Sequence, residues 1–269
     1  MTTDLQGFPG ASAIAASILS PASLFTAGQK GFWLEASDPS QLWQNTGGTT
    51  PVAANGDPVA RADDKSGNGY SWQQATGANQ PTWNTDSAGY KYLNFDGSND
   101  VLATTGNVDL SGSDKLTIVL AVDRQSASNK VAVDNNYGAA GGWAIYAAAG
   151  SSNEGPALLV TGTTNGYKYA GREGLGKFML SGRIDISQSA IASEIDCRIN
   201  GRPFAMTSDT GGLGTGNFSG SYKNYLGAVT GGGFYFLGKF YFMMVIQGLL
   251  SDADLIAVEN YANTKIGIW

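Results

Sequence analysis

The chain of 269 residues carries no histidine, one cysteine and a formal net charge of −6. Without histidine the usual general base, the commonest zinc ligand and any Ser-His-Asp triad are excluded, and a single cysteine forms no intrachain disulfide. The acidic balance, with 14% charged residues, opposes the neutralisation of phosphates, so nucleic acid is not an expected partner.

In chain order, residues 1–30 differ from the rest of the chain. Ala11–Ser20 is small, apolar and helix-tolerant, and it is broken at Pro21. This stretch reads as an arm, either a loose terminus or a docking segment that uses Ile14, Ile18 and Leu19, ahead of one domain spanning 31–269. It resembles the core of a signal peptide, but Asp4 precedes it and no basic residue does, so cleavage is not expected. The longest apolar run, Phe234–Ile246, is interrupted at Gly238 and Lys239 and falls short of the roughly 20 residues that span a bilayer.

From Phe32 onward, short apolar or alternating segments are bounded by Gly, Asn, Asp and Pro, the pattern of an all-β sandwich. Strands are predicted at Tyr90–Phe95, Lys115–Asp123, Trp143–Ala147, Ala157–Thr161, Lys177–Ile186, Ser193–Ile199 and Phe236–Ile246. Turns are expected at Asp96-Gly97, Asn165-Gly166, Asn200-Gly201 and Gly231-Gly232-Gly233, where a positive φ costs little. Asn200-Gly201 follows an alternating run that includes Cys197, a buried thiol by its position, and precedes Arg202-Pro203-Phe204, which predicts a tight hairpin. The chain closes on a predicted helix. Ser251 caps it, Asp252 and Asp254 occupy its first turn, Leu255, Val258 and Ala262 form its stripe, and Gly267 ends it.

Three segments carry a resemblance: Asp64–Gly69; Gln73–Thr76 with Gln80–Trp83; and Leu93–Leu102 with its Asn94-Phe95-Asp96-Gly97-Ser98-Asn99-Asp100 core. Together with Gly238-Lys239-Phe240, Leu250–Asp254 and Tyr261–Gly267, they resemble the opening, last strand and closing helix of laminin-G/concanavalin-A-like domains. The resemblance implies a jelly-roll sandwich of two antiparallel sheets, used for glycan binding, protein contact or architecture. A narrower likeness, over Ser23–Phe25, Gly31–Leu34, Asp38–Ser40, Leu42–Gln44 and Gly48–Val52, is to virion structural proteins of tailed bacteriophages and prophages. It implies a tail, fibre or head-decoration component on the particle surface, joined to other virion proteins through the arm. A homo-oligomer, a trimer by expectation, would multiply a weak arm contact.

Chemistry is sparse. Glu194-Ile195-Asp196 resembles the catalytic strand of laminarinase-like glycoside hydrolases, which share this fold, and alternation would put Glu194, Asp196 and Arg198 on one face. The third acidic place holds Arg198 or Ile199, so an ion-paired, solvated strand face is expected and no catalytic residue is assigned. Asp63, Asp64, Asp96 and Asp100 read as turn caps, with calcium as the alternative use of their oxygens; no metal site or other cofactor is assigned. Gly211–Gly216 lacks the context of a phosphate loop. Arg183, Arg198 and Arg202 are expected in ion pairs. Among the aromatics near turns, Trp33, Trp43 and Trp143 are expected in the core, whereas Tyr137, Tyr167 and Tyr169 are the candidates for a glycan-binding surface. The expected function is therefore non-enzymatic: a virion surface protein presenting a lectin-like domain to host glycans. A free lectin module is the alternative, and a glycoside hydrolase the third reading.

Overall fold

A computed structural model of the chain describes residues 20–128, 130–148, 155–162, 165–169, 174–188, 191–204, 207–208 and 215–269. Ile14, Ile18, Leu19 and residues 211–214 of the glycine-rich loop lie outside this set. In chain order the first strands are β1 (Gly31–Glu35), β2 (Leu42–Trp43), β3 (Asp57–Pro58), β4 (Arg61–Asp63), β5 (Ser71–Gln73), β6 (Thr82–Thr85), β7 (Lys91–Asp96), β8 (Leu102–Thr104), β9 (Lys115–Arg124) and β10 (Lys130–Asn135). They are succeeded by β11 (Trp143–Ala148), β12 (Ala157–Thr161), β13 (Asn165–Tyr169), β14 (Gly176–Asp185), a helical turn α1 (Ile191–Glu194), β15 (Ile195–Ile199), β16 (Arg202–Pro203), β17 (Thr207–Ser208), β18 (Tyr225–Leu226), β19 (Leu237–Gln247) and the helix α2 (Asp252–Ile266).

Two antiparallel sheets result. The first runs β16-β15-β14-β9-β19-β7-β6-β3, with β1 pairing the far half of β19; the second runs β17-β13-β12-β11-β10-β18-β8-β5-β4-β2. Between them lies the main core, in which Leu93, Phe95, Leu120 and Met243 of the first sheet meet Trp72, Trp143, Ile145 and Leu158 of the second. Strand alternation aims these residues inward, because successive side chains leave opposite faces of a pleated strand. Cys197 is buried in the same core, as its position predicted.

The outer face of the first sheet is closed by α2. Ser251 Oγ accepts the Asp254 N–H, and Gly267 ends the helix with φ of 67°, the left-handed conformation that a C-cap glycine supplies. Leu255, Val258, Ala262 and Ile266 pack on Val119, Ala121, Met179 and Met244. A bulge between Phe240 and Phe242 lets both Tyr241 and Phe242 join this outer cluster. Phe25, from a 3₁₀ turn at Pro21–Phe25, packs there too. Among the described residues no helix is long and apolar enough to cross a membrane.

The predicted strands and helix fall close to the observed ones, with two differences. The Ser193–Ile199 run is split: residues 191–194 form the turn α1 and the strand starts at Ile195. Asn165-Gly166 is not a turn but the start of β13, Asn165 pairing with Thr161. The Asn200-Gly201 hairpin forms as predicted, with φ of 51° and 72°, and brings Arg202 opposite Ile199.

Candidate functional site

The second sheet carries an apolar cluster on the face turned away from the core. Val131, Ala144, Tyr146, Ala157 and Leu159 form it, and Tyr137 and Val229 pack on its rim. In β11 and β12 these residues are the alternates of the inward Trp143, Ile145, Leu158 and Val160. In β10 a register shift between Val131 and Val133 turns Val131 outward while Ala132 and Val133 both face the core.

Asp134 organises the rim. Its buried carboxylate accepts the Tyr137 N–H at 3.0 Å and both the N–H and the hydroxyl of Thr230, at 2.8 and 2.6 Å. One side chain thus fixes the β10–β11 turn and the loop before β19 against each other. That loop, Gly231-Gly232-Gly233, runs with φ of 84°, 94° and 107°, and the left-handed backbone continues into Phe234 at φ 47°. A bulky residue rarely adopts this conformation, which costs about 1–2 kcal/mol without glycine. The Val131 N–H holds the strained residue by donating to the Phe234 carbonyl at 2.8 Å. The Phe234 side chain is 49% exposed, with its ring centroid 6.2 Å from that of Tyr146. Strain that surrounding structure maintains, and that presents an aromatic ring to solvent, is characteristic of binding sites.

Of the three predicted tyrosines, Tyr137 lies on this rim, and the backbone of β13 pairs Tyr167 with Leu159 and Tyr169 with Ala157, two members of the outward cluster. All three therefore belong to the β10–β13 part of one sheet. Sequence reasoning did not single out Phe234 and Tyr146, because Phe234 was counted only in the apolar run Phe234–Ile246 and Tyr146 only in the predicted strand Trp143–Ala147. The available signal was a triple glycine delivering a lone aromatic.

Elsewhere, Glu194 is buried in α1, whereas Asp196 is exposed and receives the Arg183 guanidinium across the strand pair, with Arg183 Nε at 3.0 Å. A helical turn does not alternate as a strand does, so the hydrolase-like pair is not assembled. Arg183 also meets Asp252 at 2.6 Å, and Arg198 turns to Glu259 on α2 at 2.8 Å. Arg202, expected in an ion pair, has none among the described residues and is exposed; the tight hairpin carries it to the sheet edge. Trp33 and Trp143 are buried, but Trp43 is only half-buried because β2 is an edge strand, and its indole N–H donates to Asp63 at 2.9 Å.

Asp64 caps the Trp33 and Ser66 N–H groups, and Asp96 accepts from Ser98 and Asn99, so these act in turns as predicted. Asp100 accepts the Asp96 N–H at 2.9 Å, and burial pushes its carboxyl up to about 6. No group of three or more Cys, Asp or Glu suited to a metal ion occurs among the described residues. Val131, Ala144, Tyr146, Ala157 and Leu159 are themselves buried, so the apolar face this site offers a ligand is the half-exposed ring of Phe234.

No family model matches the sequence, and no curated protein matches it. Solved structures do. The receptor-binding domain of botulinum neurotoxin D is similar with a TM-score of 0.52 at 10% identity, over 86% of this chain and 52% of that one. The corresponding figures for botulinum neurotoxin type C, whose cell entry depends on interaction with two ganglioside molecules, are 0.55, 10%, 90% and 53%. Domain 4 of AbnA, an extracellular arabinanase from Geobacillus stearothermophilus solved in complex with arabinotriose, gives 0.51 at 14% identity, over 74% of this chain and 92% of that domain. The chain spans about half the length of the neurotoxin structures. At such identities the likeness shows the fold: an all-β sandwich of two antiparallel sheets.

Proposed function

We propose that this chain is a non-enzymatic glycan-binding module that uses the exposed Phe234 ring at the rim of its second sheet. The observation that carries this reading is Phe234, a half-exposed ring held in a left-handed backbone beside Tyr146 and Tyr137. The C–H face of a pyranose or furanose packs on such rings, and polar groups at the rim meet its hydroxyls. The likeness to the AbnA domain bound to arabinotriose, which this chain matches over nearly that domain's whole length, supports the same reading. So does the separation of Glu194 from Asp196, which leaves the hydrolase-like strand without its paired carboxylates.

The test is a titration of neutral oligosaccharides, arabinotriose included, against the protein and its Phe234→Ala variant. Removal of a central ring should weaken binding about 10-fold or more. Unchanged affinity in the variant, or turnover of a bound glycan that is lost in Glu194→Gln, would overturn the reading.

A second reading concerns setting. The likeness of Ser23–Val52 to phage and prophage structural proteins favours a module displayed on a virion, held by the arm that contains Ile14, Ile18 and Leu19 and repeated in a homo-oligomer. Electron microscopy of particles with labelled protein, and the mass of the purified chain in solution, test it. A monomer that never enters particles would refute it.

A further inference from the structure

A second cleft lies far along the chain from Phe234, where the β15–β16 hairpin meets the tail that succeeds α2. Its volume is about 520 Å³, continuous through Arg202 and Trp269 with a neighbouring hollow of about 370 Å³. Asn200, Arg202, Phe204, Ile256, Asn260 and Trp269 are among its walls.

Three features set it apart. First, Trp269 is 54% exposed yet firmly placed: Asn263 donates from Nδ2 to the Trp269 carbonyl at 2.5 Å, and its Oδ1 accepts the N–H groups of Ile268 and Trp269 at 2.7 and 3.2 Å. Gly201 makes room for the ring, since a Cβ there would lie 3.3 Å from it. Second, Arg202 is exposed and, of the described arginines, is the one whose guanidinium has no carboxylate or carbonyl partner. In a chain of net charge −6 this is an uncommitted cation. Third, Glu259, the carboxylate in the wall, is engaged by Arg198 and by the Ser181 hydroxyl, so it does not claim Arg202. The half-buried Asn260 amide beside it has no hydrogen-bond partner among the described residues.

We propose that this cleft binds a saccharide bearing a carboxylate, with Trp269 under the sugar ring, Arg202 on the carboxylate and Asn260 on adjacent hydroxyls. An arginine fork matches a carboxylate in two parallel hydrogen bonds, a planar indole accepts the sugar's C–H face, and an amide both donates to and accepts from hydroxyls. The site is independent of the aromatic face on the second sheet.

The experiment tracks the Trp269 indole N–H by NMR during titration with methyl glucuronide, and with methyl glucoside and acetate as probes of each half of the ligand. The glucuronide should give a saturable shift with a dissociation constant on the order of millimolar, as suits one sugar ring. The glucoside and acetate should each bind about 10-fold more weakly. Arg202→Gln should cost a similar factor at unchanged melting temperature, with Arg202→Lys between the two. Phe234→Ala should leave glucuronide binding intact. Equal binding of glucoside and glucuronide, indifference to Arg202→Gln, absence of a saturable shift at millimolar ligand, or loss of glucuronide binding in Phe234→Ala would each overturn the proposal.

Discussion

Phe234 allows a test in which two substitutions at one position should reverse their usual order. At an ordinary position glycine is less stable than alanine by about 0.5–1 kcal/mol, because it loses more backbone freedom on folding. At φ 47° an alanine keeps the left-handed strain of about 1–2 kcal/mol, whereas glycine releases it. Both variants lose the half-buried ring, worth about 1 kcal/mol in area, together with its contact to Tyr146 of about 0.5–1 kcal/mol. Phe234→Ala should therefore be destabilised by about 1.5–2 kcal/mol, and Phe234→Gly by about 0.5–1 kcal/mol less than that once released strain is set against chain entropy. In a chain of this size the gap corresponds to a melting temperature about 2 °C higher for glycine than for alanine. Calorimetric melts measure the order, and oligosaccharide titration of the same samples should show equal loss of binding, since neither variant retains the ring. If alanine proves the more stable, the loop does not hold Phe234 in strain. If the two variants differ in affinity, the ring is not the platform.

Named contacts support further expectations. Deleting residues 1–30 should lower the melting temperature, because Phe25 is buried under α2 and its removal costs about 2–3 kcal/mol; an unchanged melt would show that the Pro21–Phe25 turn does not support the outer cluster. Asp100, whose acid form the fold prefers, should weaken the protein progressively as pH rises from about 4 through about 6, so Asp100→Asn should raise the melting temperature at pH 8 and give no gain at pH 3; an equal gain at both would contradict the assignment. Glu259→Ala should cost about 3 kcal/mol, since it leaves the Arg198 guanidinium without its carboxylate and the Ser181 hydroxyl without its buried acceptor; a denaturant midpoint unmoved by the change would show that solvent satisfies them instead.

The class of the fold, several of its longest strands and its closing helix are legible in the order of residues alone. A pleated strand has a period of two and a half-buried helix a period near 3.6, so alternation in Ile195–Ile199 and the stripe of Leu255, Val258 and Ala262 can be read without a partner in view. The Asn200-Gly201 hairpin is legible for a related local reason, since both residues must accept positive φ. The place of Tyr137 at a sheet rim is legible too, because it stands in the turn at the end of a strand.

What these elements meet is settled by the folded chain. Arg198 finds Glu259 61 residues away, and Asp134 holds Thr230 96 residues away. The bulge at Tyr241, the half-burial of Trp43 on an edge strand and the helical turn that removes Glu194 from its strand likewise depend on neighbours across the sheet. Phe234 lies at this boundary: three glycines announce a loop, but whether the next ring is buried or presented is set by Asp134 and Val131, which anchor that loop from the adjacent strand. Local periodicity records which face of an element is apolar, whereas long-range hydrogen bonds and ion pairs leave no periodic mark, so partners far apart in the chain become visible only when the chain is folded.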